Sequence, residues 1–487
     1  MLGIANQHES FPADSSRLSM ATAALITVVL AICIALVILS SAKMALLAIG
    51  FAPFIIYTYA RRPGIFLFFS TMPYMATQLV FRELEVISAG SLSININRAY
   101  MAILTVALTA RLLANRKNNQ TLFPTSFKIH FSFLIWSLFS YFLLLTPGGT
   151  VVMFRLAACF IAAVFAYQFS QQPRERNWIL LTIGITSISA GLSTIIDLGS
   201  KDPTPTLMFR STGMFGGAVA TAVIAFAGLP VFVEMFVLGK GLRPKYFGLI
   251  GFGSLAICLA LTLTRTALLG VLLFFIFLAI SLRRELPRLH GKRFVMALVP
   301  LIILLATFML DQGSQLATRF ADVQELAAGG ELESSIGSGR IGIWGAFLDA
   351  LQEAHPLNLL FGHGLTSSWY VAQRIGLPYE SHNSYLAIVF DMGIIGLIFY
   401  LSLLLGTMRN LYDASIANRT DRIRGFIWLS YYMAFCLSTI LFNGYVYTVG
   451  QRWLTYLGIG ACLGMLRQRS TDSGADPQPS AVKEILS

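Results

Sequence analysis

The chain has 487 residues, 56% of them hydrophobic and 12% charged, and a mean hydropathy of +0.71. A soluble domain carries about 25% charged residues, so a soluble fold of this length would lack the polar surface to cover itself. A soluble enzyme, a secreted disulfide scaffold and a disordered chain are excluded, and the net charge of +12 has to be read on a membrane protein.

The chain opens on a polar tail, Met1 to Ser19. Met20–Ser40 is apolar and too long for a typical signal-peptide core, which predicts an uncleaved first span. Further spans are predicted at 43–59, 64–81, 99–115, 128–146, 150–169, 178–197, 213–238, 246–264, 266–282, 294–310, 384–408, 425–442 and 453–466, about fourteen in all. The expected fold is therefore an all-α integral membrane protein. It has a cytoplasmic tail at 1–19, a bundle of about eleven spans over 20–310, a long outer (periplasmic) loop at 311–383, about three further spans over 384–466 and a second cytoplasmic tail at 467–487.

The block from Tyr246 to Leu282 is interrupted only by Arg265. As one helix it would run about 55 Å against a hydrocarbon core of about 30 Å. Arg243 and Lys245 precede it and Arg283 and Arg284 follow it. Basic flanks favour the cytoplasm, so the two ends share a side and the block must cross an even number of times. Two spans with a tight turn at Thr264-Arg265-Thr266 meet both constraints and put Arg265 at the outer face.

The same test applies to the whole chain. With both termini inside, 24 of the 35 Lys and Arg residues fall on cytoplasmic segments, ten fall on outer ones and Arg155 lies within a span. That bias is what insertion favours, and it accounts for most of the net charge without a nucleic-acid partner. Cys33, Cys159, Cys258, Cys436 and Cys462 all fall inside apolar blocks, which leaves no disulfide framework and no CxxC motif.

The outer loop carries an amphipathic helix in which Ile341, Trp344, Leu348 and Leu351 recur at helical spacing, ended by Pro356. Its apolar face can lie on the bilayer surface or pack on the bundle, and the sequence does not choose. Loops of this length are more often functional than connective.

Five residues facing that side could carry chemistry. Arg155 lies about one and a half turns into a span, where a cation usually faces a cavity or a partner, although it is shallow enough to snorkel to the headgroups. Arg210 opens Arg210-Ser211-Thr212-Gly213 at a span entry, either an anion site at a helix N-terminus or an interfacial anchor with Thr212 as N-cap. Arg265 sits in a turn among Thr262, Thr264 and Thr266, and a turn tip needs no arginine. Arg340 precedes the amphipathic helix, with a solvated charge as the plain alternative.

His382, immediately before a span, has the side chain best suited to take a proton near neutral pH; a structural hydrogen bond is the plain alternative. His363 can shape a turn, and His355 can cap a helix end. With no HExxH spacing, no tightly bound metal and no other cofactor is expected. Arginine forks match phosphate oxygens and neutralise a leaving group. With no Walker loop or Rossmann fingerprint, an activated donor should arrive lipid-linked.

The order Arg210-Ser-Thr-Gly-Met-Phe, Leu263-Thr-Arg265-Thr-Ala-Leu-Leu-Gly, Ser338-Gly-Arg340-Ile-Gly-Ile-Trp344, Phe361-Gly-His-Gly, then His382-Asn-Ser-Tyr-Leu with Gly393-Ile-Ile-Gly396, resembles the O-antigen ligase and O-antigen polymerase superfamily over roughly Phe209 to Tyr400. The resemblance implies a membrane glycosyltransferase of the bacterial inner membrane in cell-surface polysaccharide assembly. Its donor would be a glycan on undecaprenyl pyrophosphate. Its acceptor would be lipid A–core or a second lipid-linked repeat unit, with a chain-length regulator as a candidate partner. Carried over by motif, Arg210 and Arg265 bind the pyrophosphate and His382 positions or deprotonates the acceptor hydroxyl. Arg155 and Arg340 are added by location. Members often continue the Arg210 motif with Asn-Pro-Asn, where this chain has Gly216-Gly217-Ala218, a departure that points toward an exopolysaccharide relative. The reading from another class is a transporter or flippase of a lipid-linked or anionic substrate. It predicts a duplicated half-structure, and the sequence shows no internal repeat.

Overall fold

The computed structural model describes residues 54–55, 57–80, 85–89, 92–114, 124–196, 217–262, 264–283, 340–369, 383–417, 421–440 and 449–472. In chain order these form α1 (Pro63–Val80), β1 (Glu85–Ala89), β2 (Leu92–Asn95), α2 (Ile96–Ala114), α3 (Thr125–Leu143), α4 (Pro147–Phe169), α5 (Pro173–Ile196), α6 (Ala218–Ala227) and α7 (Leu229–Leu238). There follow α8 (Leu242–Thr262), α9 (Arg265–Leu282), α10 (Arg340–Gln352), α11 (Pro356–Phe361), α12 (Ser384–Ala417), α13 (Arg422–Ser438) and α14 (Val449–Asp472). Hydrocarbon offers no partner to a free N–H or C=O, so each long apolar run closes its hydrogen bonds internally as a helix.

Among the described residues six helical segments are long and apolar enough to cross a membrane: Thr125–Leu143, Gly148–Phe169, Pro173–Ile196, Ala218–Leu238, Leu242–Thr262 and Ser384–Ile416. Met101–Ala114 and Thr266–Leu282 are shorter apolar helices. The chain is thus an all-α membrane protein, with one addition among the described residues, the short antiparallel hairpin of β1 and β2 between α1 and α2. The expected spans at 20–40 and 294–310 lie outside the described residues.

Two breaks are explained by local chemistry. The long apolar block divides between Thr262 and Arg265, with Thr264 in extended backbone (φ −88°, ψ 98°) capping α9. Within Ala218–Leu238, Pro230 near the start of α7 has no N–H to donate. The Gly228 N–H turns to the Ala225 carbonyl, and the Ile224 carbonyl accepts instead from Ser187 Oγ of α5 at 2.9 Å. A neighbouring hydroxyl therefore repairs the interrupted ladder.

Apolar burial does not by itself join helices in lipid, so close packing must. Helix α14 lies along α4 through Gly460 and Gly464: a Cβ there would stand 2.2 Å from the Ala163 and Tyr167 carbonyl oxygens respectively. These small residues four apart allow the two backbones to touch.

One end of the bundle is tied by charge. Arg62 Nε and the Gly64 N–H both donate to Glu175, each at 2.7 Å. Arg111 donates to the Ala60 carbonyl and lies over the rings of Tyr59 and Phe169. Arg467 donates to the Tyr167 hydroxyl at 2.6 Å. Arg424 pairs with the buried Glu234 and with Asp421, and Trp428 Nε1 donates to the second Glu234 oxygen. These contacts gather the first turns of α5 and α13, the last turns of α2 and α4 and the C-terminal part of α14 at one end.

Helix α10 packs on the bundle rather than standing free. Its buried residues are Ile343, Phe347 and Leu351, against Phe390 of α12, with Trp344 partly buried beside them. The face expected from the sequence is corrected by about a quarter of a turn: Leu351 is buried as expected, but Leu348 is 48% exposed while Phe347 is fully buried.

Helix α12 is two arms. Gly393 has φ 71° and ψ −176°, outside any helical conformation. Tyr385 and Tyr400 lie on opposite sides of it, yet their ring centroids are 5.8 Å apart. A straight helix would separate them by about 22 Å along its axis. The arm 384–392 therefore doubles back against the arm that follows, and the N-terminal end of α12 is inside the bundle.

Candidate active site

The turn at Gly393 is held by the segment that follows α11. The His363 and Gly364 N–H groups donate to the carbonyls of Phe390 and Asp391 at 2.9 and 3.1 Å. Gly362 has φ 84°, and a Cβ on it would stand 2.3 Å from the Asp391 carbonyl oxygen. A Cβ on Gly393 would stand 2.1 Å from that of Leu360. Both positions need glycine for conformation and for space at once. The sequence motifs Phe361-Gly-His-Gly and Gly393-Ile-Ile-Gly396 are thus two halves of one backbone-to-backbone joint.

Asp391 completes that joint. It is fully buried, and its Oδ1 accepts from the Ser368 N–H at 2.7 Å and from Ser367 Oγ at 3.2 Å. Its Oδ2 has no hydrogen-bond partner among the described residues. From α3, Ser140 Oγ donates to the Asp391 carbonyl at 2.7 Å and Trp136 Nε1 to that of Met392 at 3.1 Å. Thr366, at φ 73°, shares a 2.9 Å hydrogen bond with Thr146, the N-cap of α4.

From this joint the arm 384–392 descends to its own first residue. Asn383 Oδ1 accepts from the Tyr385 and Leu386 N–H groups at 2.9 and 3.2 Å, closing the helix end. The Ser384 N–H donates to the Thr439 carbonyl at 3.1 Å, and the Tyr385 hydroxyl to the Cys436 carbonyl at 2.9 Å, both at the end of α13. Across the Tyr385 ring lies Tyr400, and over Tyr400 lies Arg452 of α14. The guanidinium carbon of Arg452 is 5.6 Å from the ring centroid, and its Nη2 donates to the hydroxyl at 3.2 Å. Arg452 is 4% exposed.

The sequence-derived candidates divide as follows. Arg155 is partly buried on α4, one turn before the buried Cys159. Arg265 opens α9, next to Thr264, whose Oγ1 donates to the Ala218 carbonyl at the start of α6. Arg340 opens α10. The side chains of Arg265 and Arg340 lie outside the described residues, as do all of Arg210 and His382.

His363 has the turn-shaping role: its ring stacks on Phe390 at 4.3 Å and its Nδ1 is 3.2 Å from the Phe390 carbonyl oxygen. His355 caps α11, Nδ1 accepting from the Leu357 N–H. Among the described residues no three His, Cys, Asp or Glu side chains group as metal ligands.

Two buried ionisable residues stand where hydropathy gives them no role. Arg452 falls one residue before the span expected at 453–466, whereas the helix starts at Val449 and carries Arg452 in its first turn. Asp391 stood inside an apolar block as a lone acid, which was the signal for it. An ionisable residue within a membrane span marks a functional or structural polar site by default.

The arrangement offers a helix end inside the bundle, the buried Arg452 braced toward it through Tyr400 and Tyr385, and a glycine joint that fixes its angle. No curated protein matches the chain. Residues 250–401, from within α8 to within α12, match the family model described as O-antigen ligase (Wzy_C), and this match supports the O-antigen ligase and polymerase superfamily to which the ordered motifs point.

Proposed function

We propose that this protein is a membrane glycosyltransferase that moves a glycan from undecaprenyl pyrophosphate to an acceptor hydroxyl at the periplasmic face of the inner membrane. The acceptor is lipid A–core or a second lipid-linked repeat unit. The observation that carries the reading is the O-antigen ligase match over residues 250–401, a stretch that contains Arg265, Arg340, His382 and the glycine joint.

In the proposed step the acceptor oxygen attacks the anomeric carbon of the sugar attached to pyrophosphate. The acceptor O–H bond gives its proton to a nitrogen of His382 as the new C–O bond forms. The bond from the anomeric carbon to the phosphate oxygen breaks with its electron pair, and undecaprenyl pyrophosphate leaves. Arg155, Arg210, Arg265 and Arg340 neutralise the charge that appears on that oxygen. A single displacement inverts the anomeric configuration, and retention in the product would overturn the one-step scheme. No metal or other cofactor takes part in it.

The test is reconstitution in liposomes with undecaprenyl-pyrophosphate-linked glycan and no nucleotide, with and without lipid A–core. One glycan block on lipid A–core identifies a ligase; a ladder of lipid-linked repeats without that acceptor identifies a polymerase. Folded His382→Ala should lose about 10²–10⁴ in rate, and Arg265→Ala about 10²–10³. If neither product forms while labelled donor crosses the bilayer in wild type and in both variants, the protein is a transporter and the reading is wrong.

A further inference from the structure

We propose that Arg452 is a positioning residue for this reaction: through Tyr400 and Tyr385 it fixes the N-terminal end of α12, and with it the point at which His382 joins that helix. The inference rests on the transfer reading above and deepens it. It starts from a placement that folding alone does not favour. Arg452 is 4% exposed within a membrane bundle, where a cation is costly and is kept for function. It also stands in the first turn of α14, the end at which a helix dipole opposes positive charge.

What the guanidinium touches shows what it can do. Its central carbon is 5.6 Å from the Tyr400 ring centroid, and Nη2 donates to the Tyr400 hydroxyl at 3.2 Å. The ring contact and the hydrogen bond together hold Tyr400, and the rigid guanidinium fork makes both at once, which the single ammonium point of a lysine does not. Tyr400 meets Tyr385 edge to face at 5.8 Å. Tyr385 is the second residue of α12, and its hydroxyl donates to the Cys436 carbonyl while its N–H is capped by Asn383. The brace thus runs from α14 through both arms of α12 to α13 and ends one residue from His382. The glycine joint at Gly393 anchors the other end of the same short arm, so the arm is held at both ends. A general base has to sit within hydrogen-bond reach of the proton it takes, and a misplacement of about 1 Å can cost about 10²-fold in rate.

The experiment measures kcat and donor KM in liposomes with undecaprenyl-pyrophosphate-linked glycan and lipid A–core, for Arg452→Lys, Tyr400→Phe, the double variant and His382→Ala. Thermal melting of each protein in detergent is measured alongside. Arg452→Lys should lower kcat by about 10- to 100-fold with donor KM within about 2-fold. Tyr400→Phe keeps the ring and the charge and loses only the accepting hydroxyl, so it serves if Arg452→Lys does not fold; it should lower kcat about 10-fold. The double variant should lose less than the product of the two single losses, because the two residues share a contact.

Wild-type kcat in folded Tyr400→Phe or Arg452→Lys, with His382→Ala inactive, overturns this inference and leaves the transfer reading standing. A raised donor KM at unchanged kcat also overturns it, because Arg452 would then bind the donor. Full activity in His382→Ala overturns the reading of His382 as the base, and the inference with it.

Discussion

Gly393 carries two demands at once. Its backbone is left-handed at φ 71°, and the space where a Cβ would point is filled by the Leu360 carbonyl oxygen at 2.1 Å and the Gly362 nitrogen at 2.6 Å. The left-handed conformation alone costs an L-residue about 1–2 kcal/mol, and the obstructing atoms are backbone, which cannot swing aside as a side chain would. Gly393→Ala should therefore lose about 3 kcal/mol or more of stability. Gly253 is the control. It lies in α8 with nothing within 4 Å of its Cβ position, so Gly253→Ala should stay within about 1 kcal/mol of wild type, on the stabilising side. The midpoints of SDS-induced unfolding compare the two directly, and equal midpoints would show that the joint does not hold the fold. These glycines also show how far the sequence could be read. Their motifs were visible, but a motif gives an order of residues, and only the fold brings Gly362 and Gly393 against each other's backbones.

At the scale of elements, hydrocarbon makes most of the chain legible. A run of about twenty apolar residues must close its own hydrogen bonds, so the positions of α3, α4, α5 and α8 follow from hydropathy, and the break before Arg265 follows from length. The doubling back of α12 does not follow, because the run from Ser384 is apolar on both sides of Gly393 and carries no sign that it is two arms. Helix α10 misleads for a related reason: apolar residues occur around more than one face, and only packing tells which face is covered. Phe347 is fully buried against Phe390, ring centroids 5.6 Å apart, whereas Leu348 beside it is 48% exposed. Phe347→Ala should cost about 3–5 kcal/mol locally and undock α10, raising amide exchange along 340–352. Leu348→Ala should change stability by less than about 0.5 kcal/mol and leave exchange as it is. Equal exchange in the two variants would return α10 to the bilayer surface as its resting place.

For the whole molecule the question is which end faces which compartment, because a lipid-linked donor reached from outside needs the helix end of α12 on that side. The contacts of Arg62, Arg111, Arg424 and Arg467 tie one end of the bundle together. The Asp391 joint holds the C-terminal end of α3 to the first turn of α4, whose opposite ends carry Lys128 and Tyr167. The excess of Lys and Arg on the tied end is the distribution that insertion leaves in the cytoplasm. The placement can be read by labelling. Lys240, Glu353 and Asp413 are all exposed, and among the described residues Cys159, Cys258, Cys436 and Cys462 are buried and free, so a Cys33→Ser background keeps native labelling low. In spheroplasts a membrane-impermeant maleimide should label Glu353→Cys at once, and Lys240→Cys and Asp413→Cys only after the membrane is opened. The reverse pattern would turn the arginines toward the cytoplasm. A donor delivered to the outer leaflet could not then reach them, and the transfer reading would have to be rebuilt around an inward site.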